Sequence, residues 1–385
     1  MRTFTLEPLG PFSLAATTRF LEGFTPAGYT GAAAQPLELA FPAEGSWQTA
    51  GVVVREHSDG VAGEIVSPPG PGAELAAAIR SQVARILSLD VDGSGFPAVG
   101  ERDPVVAGLQ RRYPGLRPVG FWSPYEAAAW AVISHRIRIS QAAAIKARMA
   151  QQLGEPVSFG DHVVHAFPAP HRLARLGTFP GLSGRKPEWL RSLAEAALNG
   201  HLDAGKLRAL PPGQALAQLK QLPGIGDFSA ELVLLRGAGS PDHIPRHEPR
   251  LSRATALAYC LPQPPSADQL LRISENWRPY RTWVTLLLRA QLEDETGEIA
   301  GTSRRHPASM RARSSSLNGT GLRSPGSQRT VTTRACAASS PAGPIIVSRV
   351  VRLVVPTRSA STRTVTRRSL CRTSARRSIS SLTTT

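Results

Sequence analysis

The sequence predicts a mainly α-helical protein with a small α+β unit at its N-terminus. Three observations carry that expectation. Strand-like alternation of apolar and polar residues is confined to residues 1–69. From Glu74 to about residue 298, apolar residues recur at helical spacing between short Pro/Gly breaks. Beyond residue 300 the composition changes in kind. The expected division is a β-rich antiparallel N-terminal domain over 1–72, a helical domain over 73–300, and a tail over 301–385.

In chain order, Arg2–Glu7, Leu37–Phe41, Ala50–Glu56 and Val61–Val66 alternate as strands, with Phe12–Phe24 long enough for a helix between the first two. The run Pro68-Pro69-Gly70-Pro71-Gly72 ends this unit, and Glu74–Leu89 follows as a helix. Ser123-Pro124-Tyr125-Glu126 is a helix start: a Ser N-cap, Pro at the first helical position, and Glu placed to close a capping box. It opens an apolar helix through Ala127–Ile139. Further helices fit Ala142–Leu153, Pro170–Leu176, Pro187–Leu198, Gly213–Leu222, Asp227–Leu235, His247–Tyr259, Ala267–Asn276 and Pro279–Gln291. No solenoid-type repeat is present.

Charge first suggests a polyanionic partner, because 45 Lys+Arg face 28 Asp+Glu, a formal +17. Sixteen of those charges are arginines of residues 301–385, which contain no Lys, Asp or Glu, so residues 1–300 are nearly neutral. The tail also holds 17 Ser and 13 Thr, a composition that buries little and predicts disorder. Read functionally, it is a flexible arm whose arginines seek phosphates in a salt-sensitive way. It is equally what a shifted reading frame through GC-rich DNA yields, so no role is assigned to it.

Three scattered cysteines exclude a disulfide scaffold and a four-cysteine cluster. The start lacks a long apolar run behind basic residues, and no stretch approaches the roughly 18–20 apolar residues of a membrane span. These features predict a soluble cytoplasmic protein.

The sharpest motif is Leu222-Pro223-Gly224-Ile225-Gly226-Asp227-Phe228-Ser229-Ala230, between two helical segments. Two glycines around one aliphatic residue allow a tight turn and close backbone approach. Ile225 would plug into the helix pair beneath. The next helix then points its unpaired first-turn N–H groups outward, ready for an anion. Leu222, Gly224, Ile225, Gly226 and Ser229 thus form a helix-hairpin-helix that grips one DNA backbone without a basic patch. The bland alternative is an ordinary helix–turn–helix corner.

On this motif and several others in order, residues 1–298 resemble the alkyladenine branch of the helix-hairpin-helix DNA glycosylases, the DNA-3-methyladenine glycosylase II family. The other matching segments are the strand-rich start, Arg111–Pro118, the helix Ala127–His135, Phe167–Leu173 and Asn276–Arg281. The resemblance implies a helix-hairpin-helix DNA glycosylase architecture acting on damaged double-stranded DNA.

It also implies a catalytic carboxylate twenty residues after the aromatic that follows the hairpin. From Phe228 that count lands on Glu248, where the family has Asp; Asp242 lies six residues upstream. Cleaving a purine N-glycosidic bond develops positive charge on the sugar, which a fixed anion stabilises. The other reading of Glu248 is a helix N-terminal acid facing the dipole. Phe228 stands where bifunctional relatives carry a Schiff-base lysine, which implies a monofunctional enzyme.

Arg136 matches the residue that wedges into the gap left by the extruded nucleotide. Beside it, His135 is either a pocket residue or a satisfied helix histidine. A pocket for a cationic base wants ring faces, for which Trp122, Trp130, Phe228 and Trp283 are candidates. Leu232 and Arg289 match a pocket tyrosine and tryptophan of the family.

Zinc is not expected. His243 and His247 are separated by Pro245, and His162 and His165 lack a third ligand nearby. Three cysteines exclude an iron–sulfur cluster. The resemblance implies no cofactor beyond a monovalent cation at the hairpin carbonyls. The expected function is hydrolytic release of alkylated purines by a monomer. The alternatives are a non-catalytic lesion-binding protein and a general helix-hairpin-helix DNA-binding module.

Overall fold

A computed structural model describes residues 2–23, 36–57 and 60–297. Phe24, the end of the first expected helix, and the whole Arg/Ser/Thr-rich tail lie outside the described residues.

The N-terminal strands are β1 (Thr3–Leu6), β2 (Leu37–Pro42), β3 (Thr49–His57) and β4 (Gly60–Ser67), and α1 (Leu14–Gly23) lies between the first two in sequence. They form one antiparallel sheet in the order β1-β4-β3-β2, with Leu39 opposite Val52 and Val53 opposite Glu64. Alternation sends Leu37, Leu39, Phe41, Val52, Val54 and Ile65 to one face, where they join Ile79, Val83 and Ile86 of α2 (Ala73–Ile86). The core built on the sheet therefore continues past residue 72.

The other face exposes a difference from expectation. Residues 156–165 form a hairpin, β5 (Pro156–Phe159) with β6 (His162–His165), in the gap between the expected helices Ala142–Leu153 and Pro170–Leu176, where no strand is expected. Val157 and Phe159 pack on Ala40 and Val53 of the sheet. A Cβ on Gly51 would lie 2.3 Å from the Val157 side chain, so the two layers meet where β3 has no side chain. A partner sheet decides the conformation of these short strands.

Helices α3 (Pro97–Arg102) and α4 (Pro104–Arg112) lead to α5 (Pro124–Ser134) and α6 (Ile139–Leu153). Ser123 caps α5 by accepting from the Glu126 N–H at 3.0 Å. Glu126 does not complete the box: its carboxylate is buried against Lys146 of α6 at 2.6 Å. Nor does α5 reach Ile139. It stops at Ser134, and Arg136 takes φ +56. The sequence holds no glycine there to announce the stop. Instead the Lys186 ammonium donates to the Ile133 carbonyl at 2.9 Å, satisfying an end group from a distant helix.

The chain continues through α7 (Pro170–Leu173), α8 (Lys186–Leu198), α9 (Ala204–Ala209), α10 (Pro212–Leu219) and α11 (Asp227–Leu232). A π-helical turn, Val233–Gly237, extends α11. After it come α12 (Pro249–Ala258), α13 (Ala267–Ser274) and α14 (Arg281–Thr296). Helices α5, α6, α8, α10 and α11 share one core; α4, α12, α13 and α14 share another.

Two expected pocket tryptophans belong to cores. Trp122 packs in the N-terminal core, and its carbonyl accepts from Gln82 and Arg85. Trp283 is 2 % exposed, edge-on to Phe96 with ring centres 5.1 Å apart. The buried Arg117 guanidinium lies over its ring at 5.0 Å and donates to the carbonyls of Pro11 and Ser88. Burial lowers the Arg117 pKa to about 10.

Candidate active site

The hairpin between α10 and α11 is shaped by contacts beneath it. Gly224 takes φ +82, and a Cβ there would stand 2.7 Å from the Trp189 ring and 3.2 Å from Val132. Only glycine meets both conditions. Ile225 is 6 % exposed, inserted in the core formed by α5, α10 and α11, and half-buried Leu222 packs beside it. Gly226 precedes α11 and faces open space, so backbone is what the surface presents there. Ser229 is half-buried in the first turn of α11. The first N–H groups of that helix have no intrahelical acceptor. Lys220 and Asp227 bridge the two sides at 2.9 Å, which holds the exposed Asp227 carboxyl below its usual pKa.

Beyond the π turn, residues 238–248 form a loop fastened from two sides. Asp242 accepts from the Arg281 backbone N–H, from its Nε at 2.7 Å and from Arg278 at 3.0 Å. This carboxylate is committed to α14. The His243 N–H donates to Thr282 Oγ1 at 3.2 Å, and the Thr282 hydroxyl donates back to the His243 carbonyl. Buried Glu231 of α11 accepts from the N–H groups of Arg246 and His247, at 2.9 and 3.1 Å, and contacts His247 Nδ1 at 3.1 Å.

The loop ends at Glu248, the residue before α12, with Pro249 at the first helical position. Its side chain makes no capping bond to its own helix. Instead it lies 3.2 Å from Arg289 Nη1 on α14, with the carboxylate side chain 11 % exposed. The helix-end location matches the bland alternative for Glu248, but the direction of the side chain does not.

Glu248 and Arg289 form part of the wall of a cavity of about 160 Å³. Trp130 and Ser134 of α5, Ile139 of α6, and Phe228 and Leu232 of α11 also line it. Phe228 is half exposed at this cavity and Trp130 is buried in its wall. Of the expected site residues, the fold therefore brings Glu248, Phe228, Leu232, Trp130 and Arg289 together at one cavity. His135 is exposed outside the cavity wall, tilted on the Trp189 ring at 6.2 Å. Arg136 is exposed in the α5–α6 turn, in sequence next to lining residues Ser134 and Ile139.

Sequence reasoning missed two buried charges here, Glu231 and Arg236. Arg236 also lines the cavity and donates to the Val119 carbonyl at 3.0 and 2.6 Å. Burial, then Arg289, lower its pKa, partly countered by Glu248, to about 9. A lone arginine within Val233-Leu234-Leu235-Arg236-Gly237 was its available signal, since such a cation needs acceptors wherever it is buried. Glu231 had no comparable signal.

His162 meets Glu38 at 2.7 Å, and His247 meets Glu231. Among the described residues no helix is long and apolar enough to cross a membrane.

No protein-family model matches the chain. It is 26% identical over 206 residues to a DNA-3-methyladenine glycosylase of Bacillus subtilis, covering 52% of this chain and 68% of that protein. Over 182 residues it is 30% identical to DNA-3-methyladenine glycosylase 2 of Escherichia coli, covering 45% of this chain and 59% of the relative. That second match spans less than two thirds of the E. coli protein.

Among solved structures, a 3-methyladenine DNA-glycosylase from Archaeoglobus fulgidus superposes with a TM-score of 0.62 at 20% identity. It covers 77% of this chain and 99% of that one. An 8-oxoguanine glycosylase/lyase of Clostridium acetobutylicum bound to double-stranded DNA gives 0.50 at 15% identity, covering 71% and 92%. The chain is thus similar in sequence to DNA-3-methyladenine glycosylases over about half its length, and it shares the fold of the Archaeoglobus structure.

Proposed function

We propose that the chain is a monofunctional DNA glycosylase that hydrolyses the N-glycosidic bond of alkylated purines, of the 3-methyladenine type, in duplex DNA. One observation carries the reading: Glu248 sits in the wall of an aromatic-lined cavity, directly beside a backbone-presenting hairpin. The hairpin amides of Gly224–Ser229 would hold one DNA strand, and Arg136 in the α5–α6 turn would contact the gap or its phosphates. A nucleotide turned out of the stack would enter the cavity, its base against the rings of Trp130 and Phe228.

The bond between C1′ and the base nitrogen then breaks, and the base leaves as a neutral molecule. Water adds its oxygen to C1′. Glu248 would stabilise the positive sugar and orient that water, or accept its proton. Arg289 restrains the carboxylate without filling the cavity.

The absence of a lyase step is part of the proposal. Lys146, Lys186, Lys206 and Lys220 are the chain's lysines, and none lines the cavity. Phe228 stands at its side and cannot form a Schiff base. The enzyme would work as a monomer in the cytoplasm, on nucleoid DNA, with no cofactor beyond a monovalent cation at the hairpin carbonyls.

The test is base release from methylated duplex DNA by the native protein and by Glu248→Gln. Release by the former and its loss in the latter support the reading. Tight binding by the native protein without release would replace it with the non-catalytic alternative.

A further inference from the structure

We infer that Glu231 is the positioning residue for Glu248, tying the hairpin helix to the loop that presents the carboxylate. This rests on Glu248 being the reacting group. Glu231 lies on α11 one helical turn beyond Phe228 and is 3 % exposed. A buried carboxylate is costly unless its oxygens are satisfied. No arginine or lysine pairs with it among the described residues. Its partners are the backbone N–H groups of Arg246 and His247 and the His247 ring, all within the two residues before Glu248.

The other side-chain fastenings of this loop come from α14 and the residues leading into it, through Arg278, Arg281, Thr282 and Arg289. Glu231 is thus its side-chain attachment on the hairpin side. The DNA backbone would be held at Gly224–Ser229, and Glu248 must stand at a set distance from that strand. The path between them runs from Ser229 two residues along α11 to Glu231, and across its bonds to residues 246 and 247. Glu231 sets where the loop sits.

The experiment compares Glu231→Gln with the native protein. Gln keeps the shape but can accept from only one of the two backbone N–H groups, and it sets an NH2 against the other. Single-turnover base release from methylated duplex DNA should fall about 10- to 100-fold, the cost of a displacement near 1 Å. Affinity for a duplex carrying a stable abasic-site analogue should be unchanged, with the thermal midpoint confirming a folded protein. In a Glu248→Gln background the same substitution should cause no further loss, because there is no longer a carboxylate to place.

Where Glu231→Gln does not fold, Glu231→Asp, which keeps the charge but withdraws the oxygens, is read the same way. A full release rate, an equal loss in both backgrounds, or a loss matched by weaker binding would each overturn the inference. Native protein that releases no base would overturn the assignment of Glu248, and the inference with it. Release by native protein with unaffected Glu231 variants would overturn the inference alone.

Discussion

The hairpin and the loop ending at Glu248 are neighbours built by opposite means. The hairpin is held by what is adjacent in sequence: a glycine at φ +82, a plug residue after it, and a helix that starts immediately. The loop is held by distant side chains, Glu231 from one helix and Arg281, Thr282 and Arg289 from another. A backbone grip can be encoded locally because it needs only a turn shape. The carboxylate proposed to react would have to be placed against a substrate held elsewhere, and that requires long-range anchors.

The contrast can be broken from either side. The largest effect is expected at the end of the loop, where Glu248→Gln should reduce the single-turnover rate of base release roughly 100- to 10,000-fold. DNA affinity should survive, because the hairpin does not depend on that carboxylate. A comparable fall in affinity would show that grip and chemistry are not separable.

Next comes the hairpin itself. Gly224→Ala places a Cβ against Trp189 at a left-handed φ, and should cost roughly 1–3 kcal/mol of stability. Binding of undamaged duplex should weaken with it, measured by anisotropy beside thermal melting. Unaltered binding would show that Gly224 does not shape the grip.

The α14 side of the loop should be more forgiving of DNA binding than of stability. Asp242→Ala removes the nearer of the two carboxylates around Arg281, 13 % exposed, leaving Glu275 at 3.6 Å, and should cost about 1–3 kcal/mol in chemical denaturation. Duplex affinity measured under native conditions should stay unchanged.

The smallest effect is expected at the hairpin surface. Asp227→Asn removes an exposed negative charge beside the expected phosphate site. It should tighten duplex binding by less than about ten-fold and steepen its salt dependence. Weaker binding would mean that the Lys220–Asp227 bridge shapes the hairpin.

Legibility followed the same division. Strand β4 and most helices of residues 74–298 were readable because each buries one face, and burial imposes a period, while β2 and β3 were readable as short apolar runs buried on both faces. The β5–β6 hairpin was not, since its conformation is decided by the sheet it packs on, and Gly51 opposite it is a tertiary fact. The end of α5 was hidden because Arg136 takes the left-handed conformation usual for glycine, while Lys186 satisfies the helix end from elsewhere. Trp122 and Trp283 looked like pocket residues because composition cannot distinguish a ring face lining a cavity from one stacked in a core.

By itself the sequence determined the class of fold, the hairpin and the spacing from Phe228 to Glu248, all properties of residues near one another along the chain. Tertiary structure decided that Asp242 is bound to Arg281 while Glu248 faces the cavity, that Arg289 restrains it, and that Glu231 holds the loop. The physical reason is that a charge takes its role from its burial and its partners, and these come from segments far apart in the chain.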